Sequence, residues 1–303
     1  MKRHVLLRAV STLVFRCFRC FRLSPTSSES NGESLSRFTL SRFKRSRLID
    51  EYDHLAPAYN RYFGKQACSQ LAPVVIPILR CFASPTARIL DLCCGCGHLT
   101  EAISAVGYLV VGVDASGEML RFERENAPAV TFLKQDARNA DFINDATLCA
   151  FNSIANFKSK ELNCLFANVA EHLSPTGIFV FDTYSEESYS DGWNGHYTVW
   201  IDDTIVTVRA RYRSSENVVD NLITLWHPTS VVKVCIAMHP HARDLLCAEL
   251  RSVGFSSVEV CDMEKDLGIS HQNGHLVFVA SKQRSSPEWL NKARYAESFS
   301  LRG

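Results

Sequence analysis

A chain of 303 residues, 46% apolar and 21% charged, has the length and composition of one main globular domain with attachments. Its net charge of +1 is unevenly spread: residues 1–47 hold 11 Lys/Arg against Glu29 and Glu33, a local +9 that leaves −8 on the rest. An acidic body argues against a grip on phosphate backbones, no charge-free run, 68–79 and 102–113 among them, exceeds 15 residues where a bilayer span needs about 20, and 12 cysteines are too sparse for a small disulfide scaffold.

Residues 1–47 are rich in Arg and Ser, carry no acid before Glu29, and set Val5, Leu6, Leu7, Val10, Leu13 and Val14 near helical spacing. That composition suits an organelle transit peptide. It equally suits a basic tail, a leader from a start codon assigned too far upstream, or, through FRCFRCFR, a contact with an anionic membrane surface. Arginines interrupt every apolar run, so no secretory signal is expected. The thiols are read as free, in the cytoplasm, or in an organelle matrix if the segment is a transit peptide.

IDEYDHLAPAYNRYF (49–63) then reads as an amphipathic segment. From residue 88 strand-like runs alternate with helical patterns, which predicts a mostly parallel sheet with helices on both faces. Strands are expected at 88–92, 109–113, 130–133, 147–151 and 178–182. Leu99, Ala102, Ile103 and Val106 share one helical face, and Leu162, Leu165, Phe166, Val169 and Leu173 share another that SPTG (174–177) should stop.

Between 183 and 238 the period changes to two. IVTVRARYR places Val206, Val208, Ala210 and Tyr212 on one face and Thr207, Arg209, Arg211 and Arg213 on the other, as in an antiparallel sheet with one wet side. A helix from Ala242 to Gly254 and two runs, SVEVCDM and HLVFVAS, forming a terminal antiparallel hairpin, complete the chain. The expected organisation is a basic extension (1–47), a main α/β domain (48–183 with 237–281), an inserted antiparallel cap (184–236) and a C-terminal tail (282–303).

ILDLCCGCGHLT (89–100) carries the chemistry. Cys17/Cys20 and Cys93/Cys96 each make a C-x-x-C, but 72 residues separate the pairs and one lies in a tail, a poor frame for tetrahedral zinc. A redox pair is disfavoured by the glycines around Cys96. No metal is expected.

A glycine turn after the first strand of a parallel sheet lets backbone approach a ligand at the strands' carboxyl ends. A pyrophosphate fingerprint would continue Gly-x-Gly-x-x-Gly/Ala, but here the third position is Thr100, and Asp91 stands four residues before Gly95, attracting a cation and repelling phosphate. Asp114, ending the second strand, suits a ribose diol, and Asp136 in KQDAR suits an adenine amino group. Those groups describe a ribosyl adenine with cationic groups and no phosphates.

ILDLCCGCGHLT, VVGVDASGEML, FLKQDARN and LCAFNSIANF resemble the successive cofactor motifs of class I S-adenosylmethionine (SAM)-dependent methyltransferases, over about residues 50–281. The resemblance is closest to the small-molecule branch with glycine N-methyltransferase-like and amino-sugar N-methyltransferase-like enzymes. It implies a Rossmann-like sheet, SAM as cofactor and a small-molecule acceptor. Within the cofactor motifs it implies that Gly95 and Gly97 line the methionyl and ribose side, Asp114 takes the ribose hydroxyls, and Met119 and Ala137 flank the adenine, with Asp91 and Cys93 also counted among the cofactor-binding residues. Asp136 would hold the adenine amino group, Phe151 and Asn152 would border the reacting methyl, and Tyr59 or Tyr52 would match the family's N-terminal tyrosine. Ala155 before Asn156 departs from the pattern where related enzymes contact substrate. No Asn/Asp-Pro-Pro-Tyr/Phe box follows the fourth strand, which argues against an adenine or glutamine amide acceptor.

Methyl transfer from a sulfonium is an in-line displacement in which orientation supplies about 7–11 kcal/mol. A neutral amine acceptor needs no base, a hydroxyl does, and N-directed transfer is preferred over O-directed. Tyr184 and His196 are the catalytic candidates. Trp193 and Trp200 are read as a pocket wall or as ordinary core, and Arg209, Arg211 and Arg213 as a solvated face. Two other readings stay open: an RNA methyltransferase guided by the basic tail, and a non-catalytic SAM-fold binding protein. Acceptor identity and oligomeric state are not legible.

Overall fold

The computed structural model describes residues 48–270, 272 and 274–283; the expectations for the basic extension 1–47 and for the tail beyond Gln283 lie outside them. The chain starts with α1 (Leu48–Ala58), a π-helical turn (Tyr59–Phe63) and α2 (Gly64–Phe82). Strands β1 (Arg88–Leu92), β2 (Leu109–Asp114), β3 (Thr131–Lys134), β4 (Asn144–Cys149) and β5 (Leu173–Tyr184) follow. Between them lie α3 (His98–Ala105), the short helices α4 (Gly117–Leu120) and α5 (Glu123–Asn126), and α6 (Ser159–His172). After α7 (Glu186–Gly192) come β6 (Gly195–Ile201), β7 (Thr204–Arg213), β8 (Val218–Trp226) and β9 (Val231–Met238), then α8 (Arg243–Ser252), β10 (Ser257–Asp262) and β11 (His275–Ser281).

Seven strands make one sheet in the order β10-β11-β5-β4-β1-β2-β3. The first five pair in parallel, while β11 runs antiparallel to both β5 and β10. This is the sheet the sequence predicts, terminal hairpin included. Successive strand residues feed opposite cores. Ile89, Val110, Leu148 and Val180 meet Leu71, Val74 and Ile78 of α2 and Leu99 and Ile103 of α3, whereas Leu90, Val113, Cys149 and Phe181 meet Leu162, Phe166 and Val169 of α6 and Leu246 and Leu250 of α8. Both faces of the central strands are buried because both carry helices, while the edge strand β3 is largely exposed.

Two boundaries differ from expectation. β4 spans Asn144–Cys149, so Phe151 lies beyond it, with φ of 63°. Ser174–Gly177 do not form a turn between helix and strand. α6 ends at His172, and Leu173 already pairs with Asn144, after which the register jumps to Ala146↔Ile178. The breaker residues are absorbed as a bulge.

β6, β7, β8 and β9 form a separate antiparallel sheet in chain order. The alternation read from IVTVRARYR holds: Val206, Val208 and Ala210 are buried while Arg209 and Arg211 are exposed. Leu55 and Ala58 of α1 pack on its dry face against Val199, Val206, Ile223 and Val234. Trp200 points away from that face and is 72% exposed, so it walls no pocket, while Trp193 packs against Tyr184 and Tyr189. Among the described residues no helix is long and apolar enough to cross a membrane.

Candidate active site

The strand order reverses between β2 and β4, on either side of β1, and the chain leaving β1 turns sharply there. Cys93, Gly95 and Gly97 all adopt left-handed φ (57°, 57° and 79°). A left-handed φ is free for glycine but costs a residue such as Cys93 on the order of 1–3 kcal/mol. Space is tight at Gly95 and insufficient for a side chain at Gly97. A Cβ on Gly95 would stand 3.2 Å from the Tyr59 ring, and one on Gly97 would stand 2.8 Å from Phe132 Cζ.

Two carboxylates define the loop's chemistry. Asp91 is 2% exposed and accepts a 2.6 Å hydrogen bond from Thr100 Oγ1. Burial pushes its carboxyl up to about 7, Thr100 offsets part of that rise, and Asp114 adds to it. Among the described residues no basic group acts on it, so it is an acid short of a countercharge. Asp114, partly buried, accepts from Gly95 N–H and Ser116 N–H, both at 2.8 Å. Burial raises it as well, against those two amide bonds, and Asp53 raises it further.

Asp53 was not singled out by the sequence analysis. It accepts from Ser116 Oγ at 2.5 Å and Glu118 N–H at 3.3 Å, and Ser116 in turn caps α4 through Met119 N–H. The signal was available in YDHLAPAY, an acid one residue after Tyr52. Asp91, Asp114 and Asp53 thus gather at the carboxyl ends of β1 and β2.

Asp136 stands two residues past β3 but turns to its own neighbour. Arg138 donates to both of its oxygens, at 2.9 and 2.5 Å, and also reaches Glu161. That pairing holds the Asp136 carboxyl below the usual range. Ala137 and Met119 are buried, Met119 with its Sδ 3.4 Å from Cys96 Sγ.

Beyond β4, Phe151 and Asn152 take two successive left-handed conformations (φ 63° and 57°). Asn tolerates that region; a bulky Phe does not. Asp182 of β5 accepts from both of their amides. Tyr184 is partly buried, stacks on His275 with ring centres 4.4 Å apart, and has its phenol pushed far up by burial and by Asp182. It is a hydrogen-bond donor rather than a base. His196 is exposed on the wet face of the cap sheet opposite Arg209. The structure does not bring it to the other residues.

α1 and the π-helical turn roof the loop. Besides Tyr59 over Gly95, Cys96 Sγ donates to Ala56 O, His98 Nε2 lies 2.9 Å from Asn60 O, and Asn126 Nδ2 donates to Asn60 Oδ1 and Cys96 O. Tyr52 OH reaches Asn156 Oδ1 at 3.2 Å, and its phenol is pushed up to about 12 by burial. A groove of about 540 Å³ opens on the far side of α4, lined by Leu120, Arg121, Arg124, Phe132 and Lys134 among others. Its basic lining has the wrong sign for a cation, so the acidic rim, not the groove, is the candidate site. Among the described residues no cluster could hold a metal ion.

Residues 89–177 match the family model described as a methyltransferase domain. The dTDP-3-amino-3,4,6-trideoxy-alpha-D-glucopyranose N,N-dimethyltransferase of Streptomyces venezuelae is 28% identical over 151 residues, 47% of this chain and 62% of that protein. The malonyl-[acyl-carrier protein] O-methyltransferase of Bacillus cereus is 28% identical over 150 residues, 48% of this chain and 55% of that protein. The chain spans about half the length of the curated relatives it matches. A solved S-adenosylmethionine-dependent methyltransferase from Clostridium acetobutylicum superposes with a TM-score of 0.64 at 18% identity, over 76% of this chain and 98% of that one. Residues 89–177 thus match a methyltransferase domain, and the chain shares the fold of a solved SAM-dependent methyltransferase.

Proposed function

We propose that the chain is a SAM-dependent methyltransferase acting on a small-molecule acceptor, at nitrogen in preference to oxygen. The observation that carries this reading is the pair Asp91 and Asp114 at the glycine loop, both raised by burial and, among the described residues, neither bonded by a basic side chain. The donor set fits SAM, whose ammonium and sulfonium supply the missing positive charge and whose ribose supplies hydroxyls. When bound, SAM provides the electrophilic methyl group.

In this reading Asp91 holds the cationic amino-acid end of SAM, and Asp114 has lone pairs left for hydroxyls after accepting from Gly95 and Ser116. Gly95 and Gly97 let backbone approach closely. Met119 and Ala137 offer apolar surface for a purine. Asp136, engaged by Arg138, meets an amino group only through lone pairs that the guanidinium leaves free. The Phe151–Asn152 turn borders the acceptor, and Tyr59 with α1 excludes water.

Nitrogen is preferred because, among the described residues, the one histidine behind the turn, His275, is engaged with Asp182 and is not free to act as a base. Tyr184 is held as a phenol, which suits an acceptor that arrives as a neutral amine. The Streptomyces N,N-dimethyltransferases among the relatives support the same preference. The test is calorimetric titration with S-adenosylhomocysteine (SAH), followed by turnover of methyl-labelled SAM against matched panels of small amines and alcohols. SAH binding with label moved to amines is expected. Absence of SAH binding would sink the cofactor reading, and labelling of alcohols alone would sink the choice of nitrogen.

A further inference from the structure

Behind the Phe151–Asn152 turn lies a buried polar assembly that the site described above does not use. Asp182 is 3% exposed and receives three donors: Phe151 N–H at 2.7 Å on Oδ1, Asn152 N–H at 3.0 Å on Oδ2, and His275 Nε2 at 2.7 Å on Oδ2. His275 is 4% exposed. Its Nδ1 lies 2.8 Å from Gln272 Oε1, and its ring is stacked on Tyr184. Strand pairing sets this geometry, because His275 and Tyr184 are register partners of β11 and β5.

The turn being held is one the chain would not adopt unaided. Two consecutive non-glycine residues in the left-handed region need external bonds to persist, and here one carboxylate bonds both amides. The same turn fixes the Asn152 side chain. Thr183 Oγ1 and Tyr189 OH both donate to Asn152 Oδ1 at 2.9 Å, and the Nδ2 group donates in turn to Met238 Sδ, 3.7 Å away at the end of the cap sheet. Asn152 therefore stands where the main sheet meets the cap, with its donor side toward the cap.

We propose that Asp182 and His275 are a positioning pair: His275 orients the Asp182 carboxylate, and the carboxylate locks the Phe151–Asn152 turn that shapes the methyl-transfer site. The inference rests on the reading that this turn borders the reacting methyl. Neither residue touches the reacting atoms; both act through the turn.

Amide hydrogen exchange of the full chain, resolved at Phe151 and Asn152, tests the lock. In the wild type these two amides should be protected as strongly as strand amides such as Val180, although they lie in a turn. Asp182→Asn puts an N–H where a lone pair is needed, and His275→Leu removes the donor to Asp182. Each should speed exchange at the two positions about tenfold or more while melting stays cooperative. His275→Gln keeps an amide donor facing Asp182 and should restore protection to within about threefold of wild type. Free exchange of the two amides in the wild type, which needs no variant to fold, would overturn the proposal. So would unaltered protection in both Asp182→Asn and His275→Leu.

Titration with SAH separates the lock from its purpose. Affinity should drop about tenfold in the two disruptive variants and recover in His275→Gln. Loosened amides with unchanged SAH affinity would make the pair merely structural and overturn its assigned role. A wild-type chain that binds no SAH would instead overturn the proposed function, leaving the exchange result to judge the lock.

Discussion

Asp91 and Asp114 share a rim but answer to different surroundings, and substitutions at the two should diverge. Asp91 has a folded pKa near 7, above its unfolded value. A raised acid contributes its stabilisation fully below pH about 4 and loses it as the pH climbs through about 7. Asp91→Asn removes that dependence yet keeps an oxygen to accept from Thr100. The variant without ligand should therefore gain on wild type as pH rises, by on the order of 2–4 kcal/mol between pH 4 and pH 8. It should also bind SAH more weakly, having lost the charge that meets the ammonium. Thermal melts of both proteins across that range, with SAH titrations at pH 8, check both parts; a pH-independent difference in melting temperature would refute the first. Asp114→Ala has no such compensation. It orphans Gly95 N–H and Ser116 N–H, at about 1–3 kcal/mol for each amide left without a partner. Both melting temperature and SAH affinity should drop together.

At the scale of elements, the glycine loop, β2 and β3 interlock around one ring. Phe132 of β3 fills the space that a Cβ on Gly112 or Gly97 would need, at 2.5 and 2.8 Å respectively. Gly112 has no left-handed φ, so Gly112→Ala is a steric problem alone. Gly97→Ala adds the strain of φ 79°. Each should destabilise by about 1–3 kcal/mol. Adding Phe132→Ala should recover most of the loss for Gly112→Ala and only part for Gly97→Ala, and a double-mutant cycle by denaturant unfolding measures the two couplings. Equal recovery would contradict the strain argument. These contacts also mark what a sequence can disclose. The alternation of Val206, Val208 and Ala210 with arginines, and the stripe from Leu162 to Val169, reported their faces faithfully because burial imposes a local period. α2 was not legible, since Pro73 and Pro77 interrupt its pattern, and it persists as a helix through tertiary burial of Leu71, Val74, Val75, Ile78 and Leu79. Asp182 and His275 escaped notice for the same kind of reason: their partnership is made by β5–β11 pairing between residues 93 apart. Motif spacing located the rim acids, but could not tell that Arg138 occupies Asp136 or that His196 faces solvent.

Over the whole molecule, α1 is one of the pieces that join the two sheets. Leu55 and Ala58 pack on the cap, Glu51 accepts from Cys235 N–H of β9 at 2.9 Å, and Asp53 bonds Ser116 and Glu118 beside the glycine loop. In the proposed reading α1 acts as a gate over the acidic rim, and the bonds made by Asp53 oppose its shift. Asp53→Ala removes two of them while leaving the apolar contacts of α1 with the cap intact. Opening becomes easier, so SAH should associate and dissociate faster, each by about three- to tenfold, as expected when a gate limits both directions. Equilibrium affinity should change less than either rate, because the gate stands on the route in both directions. Surface plasmon resonance on the immobilised full chain separates the two rates. An unchanged association rate with faster dissociation would mean that Asp53 contacts the ligand and gates nothing, and slower association would mean that α1 must be ordered before the rim can bind at all.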